Sequence, residues 1–96
     1  MELIVRIQEQ GALQEREYQN RQTGSMEKFA AMPFVLSHGG DTIFAEAVQE
    51  LARKMSALYR DYYYLATLQV QARPWTDQQG VQRYENRVVL TKLCVL

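Results

Sequence analysis

RPWTDQQGVQRYENRVVL, residues 73 to 90, is the stretch on which the fold turns. It places the single tryptophan, Trp75, beside a proline, runs through the polar turn TDQQG and closes on valines and a leucine. Upstream, YYYLATLQVQARPW has a period of two. Tyr62, Tyr64, Ala66, Leu68, Val70 and Ala72 share one side, and Tyr63, Leu65, Thr67, Gln69, Gln71 and Arg73 the other. Such alternation is that of a half-buried strand. Downstream, VQRYENRVVLTKLCVL alternates again, with Gln82, Tyr84, Asn86 and, after a phase slip, Thr91 on its polar side. Two alternating runs around a short loop containing glycine predict a β-hairpin.

The same reading extends towards the N-terminus. Residues 2 to 8 are β-branched and strand-like, and Gly11 then interrupts a segment that continues, charged and extended, to Asn20. A glycine inside a strand pattern marks a bulge or bend, so one long bent strand from Glu2 to Gln19 is expected. NRQTGS, Asn20 to Ser25, reads as a turn with Gly24 free to take a positive φ. MEKFAAMPFVLS is the second strand, with Pro33 requiring an edge or a bulge. HGGD, His38 to Asp41, breaks it.

A helix is expected next. Phe44, Ala47, Val48, Leu51, Ala52, Met55, Leu58 and Tyr59 recur at spacings of three and four, with Asp41 or Thr42 as its cap. DTIFA is readable instead as a short strand leading into that helix. The apolar stripe covers one face, so the helix packs on a sheet or closes a barrel end. The resulting order is three strands, a helix and two strands. That is the order of an all-β, five-stranded Greek-key barrel of the OB type, with one helix between strands 3 and 4, formed by residues 1–96 as one domain.

Composition narrows the function classes. Eleven basic and eleven acidic residues give zero net charge, which argues against a histone-like chain held on nucleic acid by bulk charge. From Tyr62 onward the bases Arg73, Arg83, Arg87 and Lys92 outnumber Asp77 and Glu85, so a local positive stripe remains open. Cys94 is the single cysteine; it reads as a small buried apolar residue in a reducing, cytoplasmic setting. The N-terminus has no signal-peptide pattern, and no apolar run reaches the length of a membrane span.

The hairpin also carries a family resemblance. Trp75, Thr76, Asp77, Gln78, Gly80, Arg83, Tyr84, Val88 and Val89 follow a basic residue, Arg73, in the order found in the last hairpin of bacterial single-stranded DNA-binding proteins. ELARKMSALYRDYYYLATLQVQARPW and REYQNRQTGSMEKFAAMPFVLS are similar, more faintly, to that family's helix and fourth strand and to its first hairpin. The resemblance is to a shortened member, without glycine-rich linker or acidic C-terminal tip after Leu96. It implies an OB barrel that binds single-stranded DNA, or RNA of the same form, without sequence preference, assembled from two or four copies. The expected setting is replication, repair or the maintenance of a mobile element.

Single-stranded sites combine a basic groove with aromatic rings on which bases stack. The residues expected to supply them are Trp75, Arg73, Tyr84, Arg83 and Arg87 on the last hairpin. Arg6, Arg16, Arg21, Lys28 and Phe29 are expected to join them from the first, amid Glu2, Glu9, Glu15, Glu17 and Glu27. Each has a plainer alternative. Trp75 would serve equally as a plug at a barrel end or a subunit contact, and the arginines as solvated strand residues paired with Asp77 and Glu85. Tyr62, Tyr63 and Tyr64 cannot all share one face of a strand, so packing is their expected role. His38 has no second ligand at metal spacing, and no phosphate loop or catalytic triad stands out. No cofactor, metal, membrane or small-molecule substrate is expected, and no enzyme. A scaffold module that keeps the barrel without binding DNA is the competing expectation.

Overall fold

The computed structural model describes residues 1–58 and 60–96; Tyr59, the last residue of the expected helical stripe, lies outside the described residues. Alternation sets the first half. In β1 (Glu2–Gln10) Val5 and Ile7 point inward, and in β3 (Met26–His38) Ala30, Met32, Phe34 and Leu36 do the same. β1 and the short β2 (Gln14–Gln19) both lie antiparallel to β3, so the first stave of the barrel is one strand broken at Gly11.

The break and Pro33 explain each other. The Gly11 N–H donates to the Pro33 carbonyl at 2.8 Å, and a Cβ at Gly11 would lie 2.5 Å from Pro33 Cγ. In a strand, N–H and C=O of one residue point to the same side. The N–H that Pro33 lacks would therefore have faced the break, where no ladder bond is needed.

Gly39, with φ of 59°, turns β3 into β4 (Asp41–Val48) through an eight-pair antiparallel ladder. Here the helix expectation is corrected. Asp41 and Thr42 are strand residues rather than caps, and Phe44, Ala47 and Val48 belong to β4. The helix α1 is limited to Gln49–Lys54, and its N-cap Val48 makes no side-chain bond. Ile43, Ala45 and Ala47 also satisfy a period of two. Ladder bonds and burial against β3 outweigh the local helix preference of alanine and glutamate. The chain changes course at Gln49, whose φ is 55°. Leu51, Ala52, Met55 and Leu58 still reach the core, so the apolar stripe closes the barrel even though most of it is not helix.

β5 (Tyr63–Thr76) lies beside β1, β6 (Gln82–Val95) beside β5, and β6 runs parallel to β4 at Glu46–Val89 and Ala47–Leu90. With the β1–β3 pairing the ring closes as β1-β5-β6-β4-β3. Five staves with one parallel pair, and the helix after the third stave, form the OB barrel. The phase slip at Thr91 is a bulge: Leu68 faces Leu90 while Thr67 faces Lys92. It turns Leu93 inward and leaves Cys94 exposed, which corrects the expectation of a buried cysteine. Of the three tyrosines, Tyr64 enters the core while Tyr62 and Tyr63 remain half exposed.

Two parts leave the barrel. β2 is exposed throughout, as are β5 from Gln69 onward and β6 up to Asn86. The Cα radius of gyration is 15.5 Å, against roughly 12–13 Å for a compact chain of this length. The excess reflects two projecting hairpin arms, β2–β3 and β5–β6. Among the described residues no helix is long and apolar enough to cross a membrane.

Candidate functional site

The two arms flank a groove of about 480 Å³ floored by β3 and β4. Register decides which side chains enter it. On the first arm Arg16 faces Phe29 and Gln14 faces Ala31, and all four line the groove. On the second, Arg73 faces Glu85 and Gln71 faces Arg87; Arg73, Glu85 and Arg87 line the opposite wall. Phe44 and Glu46, which point outward because Ala45 and Ala47 point in, complete the floor.

The groove brings three arginines to two phenyl rings. The Arg87 guanidinium lies 5.9 Å from the centroid of Phe29, within range of a cation–π contact. Among the described residues the ion pairs are Arg6–Asp61, Arg53–Glu15, Lys54–Glu50 and Arg83–Asp77. Arg16, Arg73 and Arg87 are in none of them. Three cations against Glu46 and Glu85 leave the lining with an excess of one positive charge. Phe44 is 60% exposed, a large apolar surface left in water at the centre of a cationic cleft.

Local bonds hold both arms in place. On the first, Tyr18 Oη donates to Glu27 Oε2 at 2.8 Å across the strands, and Asn20 Nδ2 donates to Glu27 Oε1. At its base Arg53 Nη2 donates to the Lys28 carbonyl at 3.1 Å. The second arm ends in a three-residue loop between Asp77 and Val81, with Gly80 at φ 80°, a position that favours glycine. Asp77 Oδ1 accepts from the N–H groups of Gln79 and Val81 at 2.9 and 3.0 Å, and Oδ2 accepts from Arg83 Nε at 2.6 Å. The Arg83 guanidinium, with the Val81 and Gln79 amides, holds the Asp77 carboxyl below its usual range.

Trp75 stands directly opposite Arg83, on the same face of the arm as Arg73 and Arg87. It is 46% exposed and sits well out from the barrel, not at a barrel end. Tyr84 pairs with Pro74, which puts it on the other face of the arm, away from Trp75. Lys28 pairs with Glu17 on the far face of the first arm, and Arg21 lies exposed in its turn. Arg6 is on β1, 3.9 Å from Asp61 and over the ring of Tyr63. Of the ten residues expected at a binding site, the groove collects Arg16, Phe29, Arg73 and Arg87, with Trp75 and Arg83 beyond on the same arm face. Arg6, Arg21, Lys28 and Tyr84 lie elsewhere.

Phe44 is the aromatic groove residue missing from the sequence-based set. Its signal was the period of two in DTIFAEAV, masked by an equally good helical spacing. No family model matches the chain, and no curated protein or solved structure matches it.

Proposed function

We propose that the chain binds single-stranded DNA without sequence preference in the groove between its arms. Bases stack on Phe44 and Trp75, while Phe29 already lies under the Arg87 guanidinium, and backbone phosphates meet Arg16, Arg73 and Arg87. The observation that carries this reading is that these three arginines line one groove with the half-buried Phe29 and the exposed Phe44, and have no carboxylate partner among the described residues. Cations left unpaired beside a ring left exposed suit a polyanion with flat faces, and every base offers such a face. The resemblance of the second hairpin to bacterial single-stranded DNA-binding proteins supports the same ligand. It also supports a cytoplasmic role in replication, repair or mobile-element maintenance, in assemblies of two or four copies.

The test is a titration with fluorescently labelled oligo(dT) followed by anisotropy at several salt concentrations. Three phosphate contacts give a slope of log K against log salt of about −2. Absence of binding at micromolar protein, or binding indifferent to salt, overturns the proposal. Oligo(rU) in parallel decides between DNA and RNA. One observation favours a protein-interaction module instead: the lining's excess is a single positive charge and the whole chain's charge is zero. That reading predicts no response to either oligonucleotide.

A further inference from the structure

Resting on that reading of the groove, we infer that Arg83 and Asp77 form a positioning pair that holds Trp75, and that Arg83 is not a phosphate ligand. A two-stranded arm standing away from a core is only marginally ordered by its ladder. Both strands of this arm are exposed from Gln69 to Thr76 and from Gln82 to Asn86. Its outer end therefore depends on local bonds. Asp77 supplies them: three donors converge on one carboxylate, whose side chain is 13% exposed while that of Arg83 is 55% exposed.

The pair has two consequences for Trp75. Arg83 is its cross-strand neighbour, and the guanidinium that would otherwise be free to lie over the indole is drawn to Asp77. Among the described residues, cation–π contacts occur at Tyr63 and Phe29, not at Trp75, so the indole face stays open to a base. The pair is also neutral as a unit. A cation already matched by a carboxylate displaces no counterion on meeting a phosphate, whereas Arg73 and Arg87 do. The three arginines of this arm thus divide into two that meet phosphate and one that sets the geometry.

The test compares Asp77→Ala, Arg83→Ala, the double variant and Arg73→Ala in the full chain, with oligo(dT) as the probe. Each single variant of the pair weakens binding by about twofold to fivefold, the scale of a well-aligned exposed ion pair, and the double variant is no weaker than either. Their salt slopes match the parent's, while Arg73→Ala lowers the slope by about 0.7. Without DNA, Trp75 anisotropy falls and acrylamide quenching rises in both single variants, with the thermal midpoint by circular dichroism unchanged. A slope lowered by about 0.7 in Arg83→Ala makes Arg83 a phosphate ligand and overturns the inference. So does unaltered Trp75 mobility in the DNA-free variants. If the parent chain binds no oligonucleotide, the proposed function falls, and the clamp is still decided by the DNA-free measurement.

Discussion

Two phenylalanines, ten residues apart, separate the barrel from the groove. Phe34 is 1% exposed inside the core cluster, and removing its ring leaves a cavity that the surrounding strands cannot close. Phe34→Ala should cost about 3–5 kcal/mol, a large share of the roughly 5–14 kcal/mol available to a chain of this length. Phe44 is 60% exposed. With full burial of such a side chain contributing about 1.5–3 kcal/mol, the two-fifths that is covered places Phe44→Ala near 0.6–1.2 kcal/mol. Urea denaturation followed by far-ultraviolet circular dichroism reads the difference, because Trp75 sits on an arm and does not report on the core. For m of about 1.5 kcal/mol per M, the midpoints fall by about 2–3 M for Phe34→Ala and by less than about 1 M for Phe44→Ala. Binding of oligo(dT) should follow the opposite ranking in Phe44→Ala, a loss of about 5- to 150-fold for one stacked base. A Phe44→Ala midpoint shift as large as that of Phe34→Ala would place the ring in the core, as its helical spacing implies, and refute the outward register of β4.

Gly11→Ala should destabilise the barrel by about 1–3 kcal/mol, since the new methyl meets the rigid Pro33 ring at 2.5 Å; an unchanged urea midpoint would show that the strand break is not fixed by that contact. The arm tip should respond to acid. A carboxyl held below its ordinary value in the folded state stabilises above that value and loses this contribution as pH falls through the lowered one, so tip order is retained at neutral pH and lost in acid. The Val81 amide, bonded to Asp77 Oδ1, is the reporter: its proton exchange should accelerate in acid relative to core amides, and Asp77→Asn should remove that dependence.

The second hairpin was legible because turn chemistry and alternation agreed there. Asp77, Gly80 and the flanking strands all point to one connection, and β5 and β6 pair across it. The bend at Gly11 was legible for the same reason, although the match of that bend to the missing N–H of Pro33 needed the two strands side by side. The segment from Ile43 to Leu58 was not. Its apolar residues fit spacings of two and of three to four equally, and the choice is made by β3, which offers β4 a full ladder. A helical reading of the segment puts Phe44 in an apolar stripe and hides it from the site. Strand periodicity also says nothing about where a barrel ends. Tyr84 and Trp75 looked like partners in sequence, but a register that alternates faces separates them on an arm exposed on both sides. The bulge at Thr91 likewise turned Cys94 out of the core.

A nucleic-acid strand bound as proposed lies in the cleft between the arms. Amide and side-chain chemical shifts of the isotopically labelled chain, followed on adding oligo(dT), locate the ligand directly. The largest changes are expected at Arg16, Phe29, Phe44, Arg73, Trp75 and Arg87, with Ile4 and Tyr63 on the opposite wall of the barrel unmoved. Shifts concentrated at Ile4, Arg6 and Tyr63, or none anywhere at saturating oligonucleotide, would contradict it.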